Sequence, residues 1–342
     1  MSRPRQSRPG SGIVAFGRRG LGVVGGTLTS LPGRLVVTLG LLALVARSID
    51  WGTVGDALST AAWGWFALAV AAIAAAFAVA ALRWQPLLSV ARLPADLSAT
   101  LRAYFVGAFT NNLLPTGFGG DAVRAWMVAG TGRPLARALT SVGVDRLSAL
   151  GCLVLVGWIG VVIDPGAVPG KLIGLLAIAS AGAIAGLCLA IVLLRQRHLG
   201  AMLPERLRPW ASEVATVLRA YGADRGLIAR VLLLGVGFQA MTVAALWLLA
   251  ETIDLDVAVA VLAVVMPLVL IATVAPISVA GFGVREGAFV VLLGEVGIAS
   301  GPATLLSLLS VAAMAIASLP GGVALLLRHE RPEVPPEAYE PS

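Results

Sequence analysis

The chain has 342 residues, 58% of them AVILMFWYC, a set that omits the 40 glycines, and only 13% are charged. Soluble domains average about 45–50% apolar with glycine counted and about 25% charged, so the chain falls outside the soluble class. A mean hydropathy of +0.92 and long apolar runs without period-2 alternation indicate a polytopic helical membrane protein and argue against an outer-membrane barrel. The net charge of +7 comes from basic residues spread between apolar runs. That is how Lys and Arg set membrane topology, so nucleic acid is not an expected partner.

Residues 1–30 carry Arg3, Arg5, Arg8, Arg18 and Arg19 among Gly, Ser and Pro. They read as a disordered, basic cytosolic arm rather than a cleaved leader, because no A-x-A site follows an uninterrupted apolar core. A membrane domain is expected over 31–328, and a charged, Pro-rich disordered tail over 329–342. A span needs about 20 apolar residues, fewer where arginine can snorkel. Candidate spans are 34–47, 61–82, 138–163, 172–194, 229–250 and 303–327. Two further regions, 98–130 and 257–298, are apolar but interrupted. The expected fold is therefore all-α: a bundle of about six full spans plus two broken or re-entrant elements, eight hydrophobic elements in all.

The charges orient the bundle. Asp50 and Asp56 mark the 48–60 loop as external, and Arg83, Arg92 and Arg102 mark the next as cytosolic. Arg124, Arg133 and Arg137 follow the first broken region, so both its flanks are basic and a re-entrant path from the cytosol suits them. Span 138–163 then leads out to Asp164 and 172–194 returns. The 195–230 loop holds seven arginines and is internal; Glu251, Asp254 and Asp256 form an acidic external loop. The last span returns to Arg328. This gives a multi-pass protein, expected in the plasma membrane, with both termini cytosolic.

The first interruption reads NNLLPTGFGGDAVR (111–124) and the second VAPISVAGFGVREGAFVV (274–291). Pro115 and Pro276 disfavour helix. Gly117, Gly119, Gly120, Gly281 and Gly283 permit positive φ or close approach, so these seven are the candidate hinges. Broken backbone at membrane depth must be buried in protein or line a wet cavity. Paired interrupted elements in two halves are the sequence pointer to inverted repeats around a midplane site; here the flanking spacings differ.

Asp121 reads as the N-cap of a helix through Arg124, whose free N–H groups suit a phosphate. Arg124, Arg146 and Arg285 each have an acid close in sequence: Asp121, Asp145 and Glu286. Arginine at a helix centre costs about 2.5–3.5 kcal/mol on insertion scales. Such residues either line a groove for an anionic head group or form structural ion pairs, and Asn111 and Asn112 either join the groove or satisfy broken backbone. The candidate substrate-binding set is Asn111, Asn112, Asp121, Arg124, Asp145, Arg146, Arg285 and Glu286. Cys152 and Cys188 sit in apolar runs and His198 and His329 in charged loops. No metal site, cofactor or catalytic constellation is expected from these, and no catalytic residue is assigned.

Asn111-Asn112-Leu113-Leu114-Pro115, Gly119-Gly120-Asp121-x-x-Arg124, Ser141-Val142-x-x-Asp145-Arg146, and Pro276 with Gly281-Phe282-Gly283-Val284-Arg285-Glu286 resemble the lysylphosphatidylglycerol synthase transmembrane-domain family, also called flippase-like. Arg83-Trp84 fits the same resemblance, which runs from about 34 to 328. Asp145 departs from it, since the family more often carries Glu there; the charge is kept. The resemblance implies a membrane protein that moves or handles charged or glycosylated lipids. In the full-length synthases this domain flips an aminoacylated phospholipid, while a soluble domain uses aminoacyl-tRNA. The 195–230 loop is too small to be that domain, so synthesis is not expected. The expectation is a lipid flippase or lipid-handling transporter whose partners are membrane lipids, phospholipid or polyprenyl-phosphate lipid. The alternatives are an enzyme or enzyme subunit acting on polyprenyl-phosphate-linked sugars, and a non-transporting protein that anchors a partner enzyme. A homo-oligomer is compatible with each.

The charge pattern makes a topological prediction. In a background lacking Cys152 and Cys188, single cysteines at 92 and 133 should resist an impermeant maleimide in intact cells and react after permeabilisation. External reaction at 133 would overturn the cytosolic return of the first broken region.

Overall fold

A computed structural model describes residues 51–93, 96–113, 119–129, 135–195, 208–274, 278 and 281–327, with four isolated positions between 39 and 47. Among the described residues the regular structure is entirely helical. In chain order the helices are α1 (Trp51–Ser59), α2 (Trp63–Val90), α3 (Leu97–Leu113), α4 (Gly119–Ala129), α5 (Leu135–Ile163) and α6 (Gly170–Arg195). They continue with α7 (Arg208–Ala223), α8 (Arg225–Thr252), α9 (Val259–Val274), α10 (Val284–Gly294) and α11 (Ser300–Leu326).

Four helices, α2, α5, α8 and α11, have 27 to 29 residues and are apolar enough to cross a membrane. At 1.5 Å per residue each is roughly 42 Å long, against about 30 Å of hydrocarbon. The chain is thus a membrane-spanning helical protein. Leu68, Leu147, Val162, Ile178 and Leu233 lie exposed on the flanks, where lipid rather than water is the fitting solvent. The expected span over 34–47 lies almost wholly outside the described residues, as do the basic arm and the tail.

The boundaries shift in one way that matters. The span expected to stop at residue 82 runs on to Val90, so Arg83 is not in a loop. It sits seven residues inside the end of α2, about 10 Å along the axis. α3 and α4 lie on either side of residues 114–118, which fall outside the described residues; α9 ends at Val274 and α10 starts at Val284, with Ser278 and residues 281–283 the described positions between them. Pro115, Gly117 and Pro276 fall outside the described residues. With 11 residues each, α4 and α10 are about 16 Å long and too short to cross.

The packing is reciprocal. α2 and α8 lie antiparallel along one another: Ala62 N–H donates to Thr252 O at one end, and Tyr221 Oη donates to Leu87 O near the other. α3 packs on α4 and on α11; α9 packs on α10 and on α5. α4 rests on α5 as α10 rests on α11. A core of Leu172, Leu249, Leu262, Val264, Leu293 and Leu306 joins α6 and the second half. A second core around Trp84, Leu87, Ala125, Val142 and Leu227 closes the opposite end. α7 covers that end with Val217 and Tyr221, tied by Arg137 Nε to Glu213 Oε1 at 2.9 Å. Burial, aided by the charge of Asp145, pushes the Tyr221 hydroxyl well above its ordinary value, which keeps it a donor.

Close approach explains the glycines of the first hinge better than unusual φ does. Gly119 and Gly120 are helical, and neither is among the positive-φ residues. A Cβ at Gly120 would overlap the Gly107 carbonyl oxygen and stand 2.7 Å from Asn111 Cγ. α3 and α4 touch backbone to backbone there. Gly321 in α11 plays the same part against Phe105 O of α3. The second hinge does use positive φ, +80° at Gly281 and +81° at Gly283, which an L side chain adopts only at a cost.

Gly120→Ala should therefore separate α3 from α4 and sharply lower the detergent-stable yield, since overpacking commonly costs about 1–3 kcal/mol and here the clash is with backbone. Gly182→Ala, with nothing within 4 Å of the new Cβ, should leave the melting midpoint unchanged. Measuring both midpoints in detergent checks this.

Candidate functional site

Four elements meet at one buried charge network. Asp145 on α5 is 1% exposed. Its Oδ1 accepts from Arg83 of α2, at 2.9 Å from Nε and 2.7 Å from Nη2. Its Oδ2 accepts from Arg124 Nη1 of α4 at 2.9 Å. Arg124 Nε reaches Asp121 Oδ1 at 3.0 Å one turn back, and Asp121 Oδ2 takes Arg146 Nε of α5 at 2.7 Å. The order is Arg83, Asp145, Arg124, Asp121, Arg146, acids alternating with bases. α3 adds an aromatic wall: the Arg124 guanidinium lies 4.9 Å from the Tyr104 ring centre and 4.8 Å from that of Trp84. Trp84 is itself held by Nε1 donating to Ser141 Oγ at 3.2 Å.

These pairings differ from those that sequence neighbours suggest. Arg146 binds Asp121 rather than Asp145, because consecutive residues on a helix point about 100° apart. Asp145 serves Arg83 and Arg124 instead. Asp121 is not the N-cap of α4. The helix starts at Gly119, and Asp121 lies in its first turn, facing the arginines. The free N–H at the start of α4 is met by Asn111, whose Oδ1 accepts from Gly120 N at 2.8 Å. Asn111 thus satisfies broken backbone, while Asn112 Nδ2 reaches Ser318 Oγ of α11 at 3.0 Å.

Arg285 and Glu286 stand apart from this network and form no ion pair with each other. Glu286, 1% exposed, turns back so that Oε2 accepts from Gly283 N at 2.6 Å, which caps α10. Arg285 is partly buried on another side of the helix.

The residue that sequence reasoning missed as a site member is Arg83. Its signal was an arginine within one turn of an apolar run that could be extended by seven residues. Three guanidiniums against two carboxylates leave one positive charge uncompensated. Arg83 Nη1 has no hydrogen-bond partner among the described residues, and Arg83 and Arg124 are sealed in at 1% and 3% exposure. The Arg146 side chain is 43% exposed. The network therefore has a rigid, buried end and an open, cationic end.

The model of the family described as the lysylphosphatidylglycerol synthase TM region matches residues 33–322. No curated protein matches the chain.

The network predicts an order of damage. Asp145→Asn leaves two buried guanidiniums short of an anion and should cost about 3–5 kcal/mol, as breaking a buried pair does. Arg83→Met leaves Asp145 still paired with Arg124 and should cost less. Arg146→Met, at the open end, should cost least, within about 1 kcal/mol. Thermal midpoints of the three purified variants check the order.

Proposed function

Because the chain belongs to the lysylphosphatidylglycerol synthase TM-region family and spans the membrane, we propose that it is a lipid flippase or lipid-handling transporter that passes an anionic head group along an intramembrane polar groove. The observation that carries this reading is the net positive charge of the buried network, with Arg146 at its open end. A network with one positive charge in excess and a half-exposed guanidinium at its edge attracts an anion. A phosphodiester is the commonest anion a bilayer offers, and arginine meets its oxygens with two parallel donors. The acyl chains would remain in lipid while the head group meets Arg146 first. Arg124 and Asp121 hold Arg146 in place, so the groove is preorganised. Arg285, partly buried beside the second hinge, is the second proposed contact along the path, and Asn111 and Asn112 line the first hinge.

The reciprocal packing supports an inverted repeat: α2 to α5 correspond in order to α8 to α11, α3 packing on α11 as α9 packs on α5, with α2 and α8 antiparallel. Such repeats bind substrate where their broken elements meet. The proposed setting is the plasma membrane, with both termini cytosolic and the α3–α4 hairpin re-entrant from that side.

Reconstitution tests the proposal. Proteoliposomes holding fluorescent phosphatidylglycerol should lose their dithionite-protected fraction, and those holding the phosphatidylcholine analogue should lose it more slowly. Arg146→Gln should remain monodisperse and slow the phosphatidylglycerol rate about tenfold or more, the loss of a charge-assisted bond being worth roughly 1.5–3 kcal/mol. A wild-type rate equal to that of protein-free vesicles, or an unchanged rate in Arg146→Gln, would overturn the reading.

A further inference from the structure

A cavity of about 510 Å³ opens between the end of α2 and the start of α8. That volume is in the range of small-molecule sites, roughly 300–1,000 Å³. Its charged and polar side chains are Gln85 and Ser89 from α2, and Asp224 and Arg230 from the start of α8. Helix register builds the two walls. Gln85 and Ser89 lie one turn apart, and Gly226 and Arg230, also one turn apart, line the other side. Pro86, Val90 and Leu227 add apolar surface. None of these residues belongs to the arginine network, and the path proposed for an anionic head group does not use them.

Two observations point to the class of ligand. The first is charge. One acid and one base line the same cavity, yet neither Asp224 nor Arg230 forms an ion pair among the described residues. Asp224 Oδ1 accepts from Leu227 N at 2.9 Å, which caps α8, and its negative charge is left for another partner. A ligand with a single charge would meet a like charge on one wall, whereas a ligand with both signs matches the pair. The second observation is depth. α2 and α8 have 28 residues each. At about 42 Å they outreach the roughly 30 Å hydrocarbon layer, so their ends stand among lipid head groups. The cavity is built from the last six residues of α2 and the first six of α8, with the cap Asp224.

We infer that this cavity holds the zwitterionic head group of a phospholipid, a phosphodiester joined to an ammonium. Arg230 meets the phosphate oxygens, which a guanidinium takes with two parallel donors. Asp224 meets the ammonium, and Gln85 and Ser89 supply neutral hydrogen bonds. The apolar surface of Pro86, Val90 and Leu227 receives the start of the acyl chains. The site goes beyond the flippase reading and stands whether or not the protein moves lipid.

The test uses the full chain purified in detergent at pH 7. It is titrated with dihexanoyl phosphatidylethanolamine, dihexanoyl phosphatidylglycerol or free glycerophosphoethanolamine. The melting midpoint should rise saturably with the phosphatidylethanolamine, at a half-saturating concentration about tenfold below that of the phosphatidylglycerol. Arg230→Gln should move that concentration about tenfold upward, as loss of a charge-assisted hydrogen bond does. Asp224→Asn keeps the capping oxygen and should erase the preference between the two lipids. A Cβ at Gly226 would meet only Asp224 Oδ1, at 3.3 Å, within 4 Å, so Gly226→Leu should fold, fill the cavity and lose the response. Arg146→Gln should respond as the wild type does, which separates this site from the proposed lipid path. No saturable rise, equal half-saturation by the two lipids, an undiminished response in Arg230→Gln, or a response lost in Arg146→Gln would overturn the inference. Equal half-saturation by glycerophosphoethanolamine and the phosphatidylethanolamine would overturn the bilayer as the source of the head group.

Discussion

Asp145 is the constraint around which the first half of the molecule is arranged. A carboxylate at 1% exposure is untenable in an apolar bundle without compensation. It receives two guanidiniums, from α2 and α4, on its two oxygens. Those contacts fix how far α2 extends into the bundle and where the short α4 sits against α5. Each arginine then needs its own surroundings. Arg124 is held between Trp84 and Tyr104 and shared with Asp121, and Arg83 packs toward the Phe238 ring of α8, 5.4 Å from its centre. A single buried acid thereby dictates contacts on α2, α3, α4 and α8.

Small residues make this geometry reachable. The network needs α4 close to α3, and Gly107 and Gly120 remove the side chains that would keep them apart. It also needs α3 docked on α11, which Gly321 and Gly322 allow against Phe105 and Phe109. In lipid, where apolar side chains gain little by leaving their solvent, such close contacts supply much of the association. The same economy appears on α5, where a Cβ at Gly160 would stand 2.9 Å from Ala263 Cβ of α9. Close approaches thus recur where α3 meets α4 and α11 and where α5 meets α9.

The two halves spend their charge differently. In the first, acids and arginines neutralise one another with one positive charge left over and an open guanidinium at the edge. In the second, Glu286 caps α10 by accepting from Gly283 N–H, next to two left-handed glycines.

Sequence alone determined the membrane class, the long spans α5, α8 and α11 to within a few residues, the helix α6, and the break before α10. Hydropathy over 20 residues and the backbone limits of Pro and Gly are local properties, so a linear reading captures them. It also singled out charged residues that the structure brings together: Asp121, Arg124, Asp145 and Arg146 meet in one network. It could not say who pairs with whom. Arg146 looked like the partner of Asp145 and Glu286 of Arg285 because they are adjacent in the chain, yet a helix turns about 100° per residue and sends neighbours to different faces. Arg83 looked like a loop residue because its charge ended the apolar run, and only Asp145, 62 residues away, makes its burial tolerable. Asp121 looked like a cap, and Asn111 took that place from the preceding helix. Those choices depend on distances between helices, which the close packing of α3, α4, α5 and α11 sets and no local pattern records.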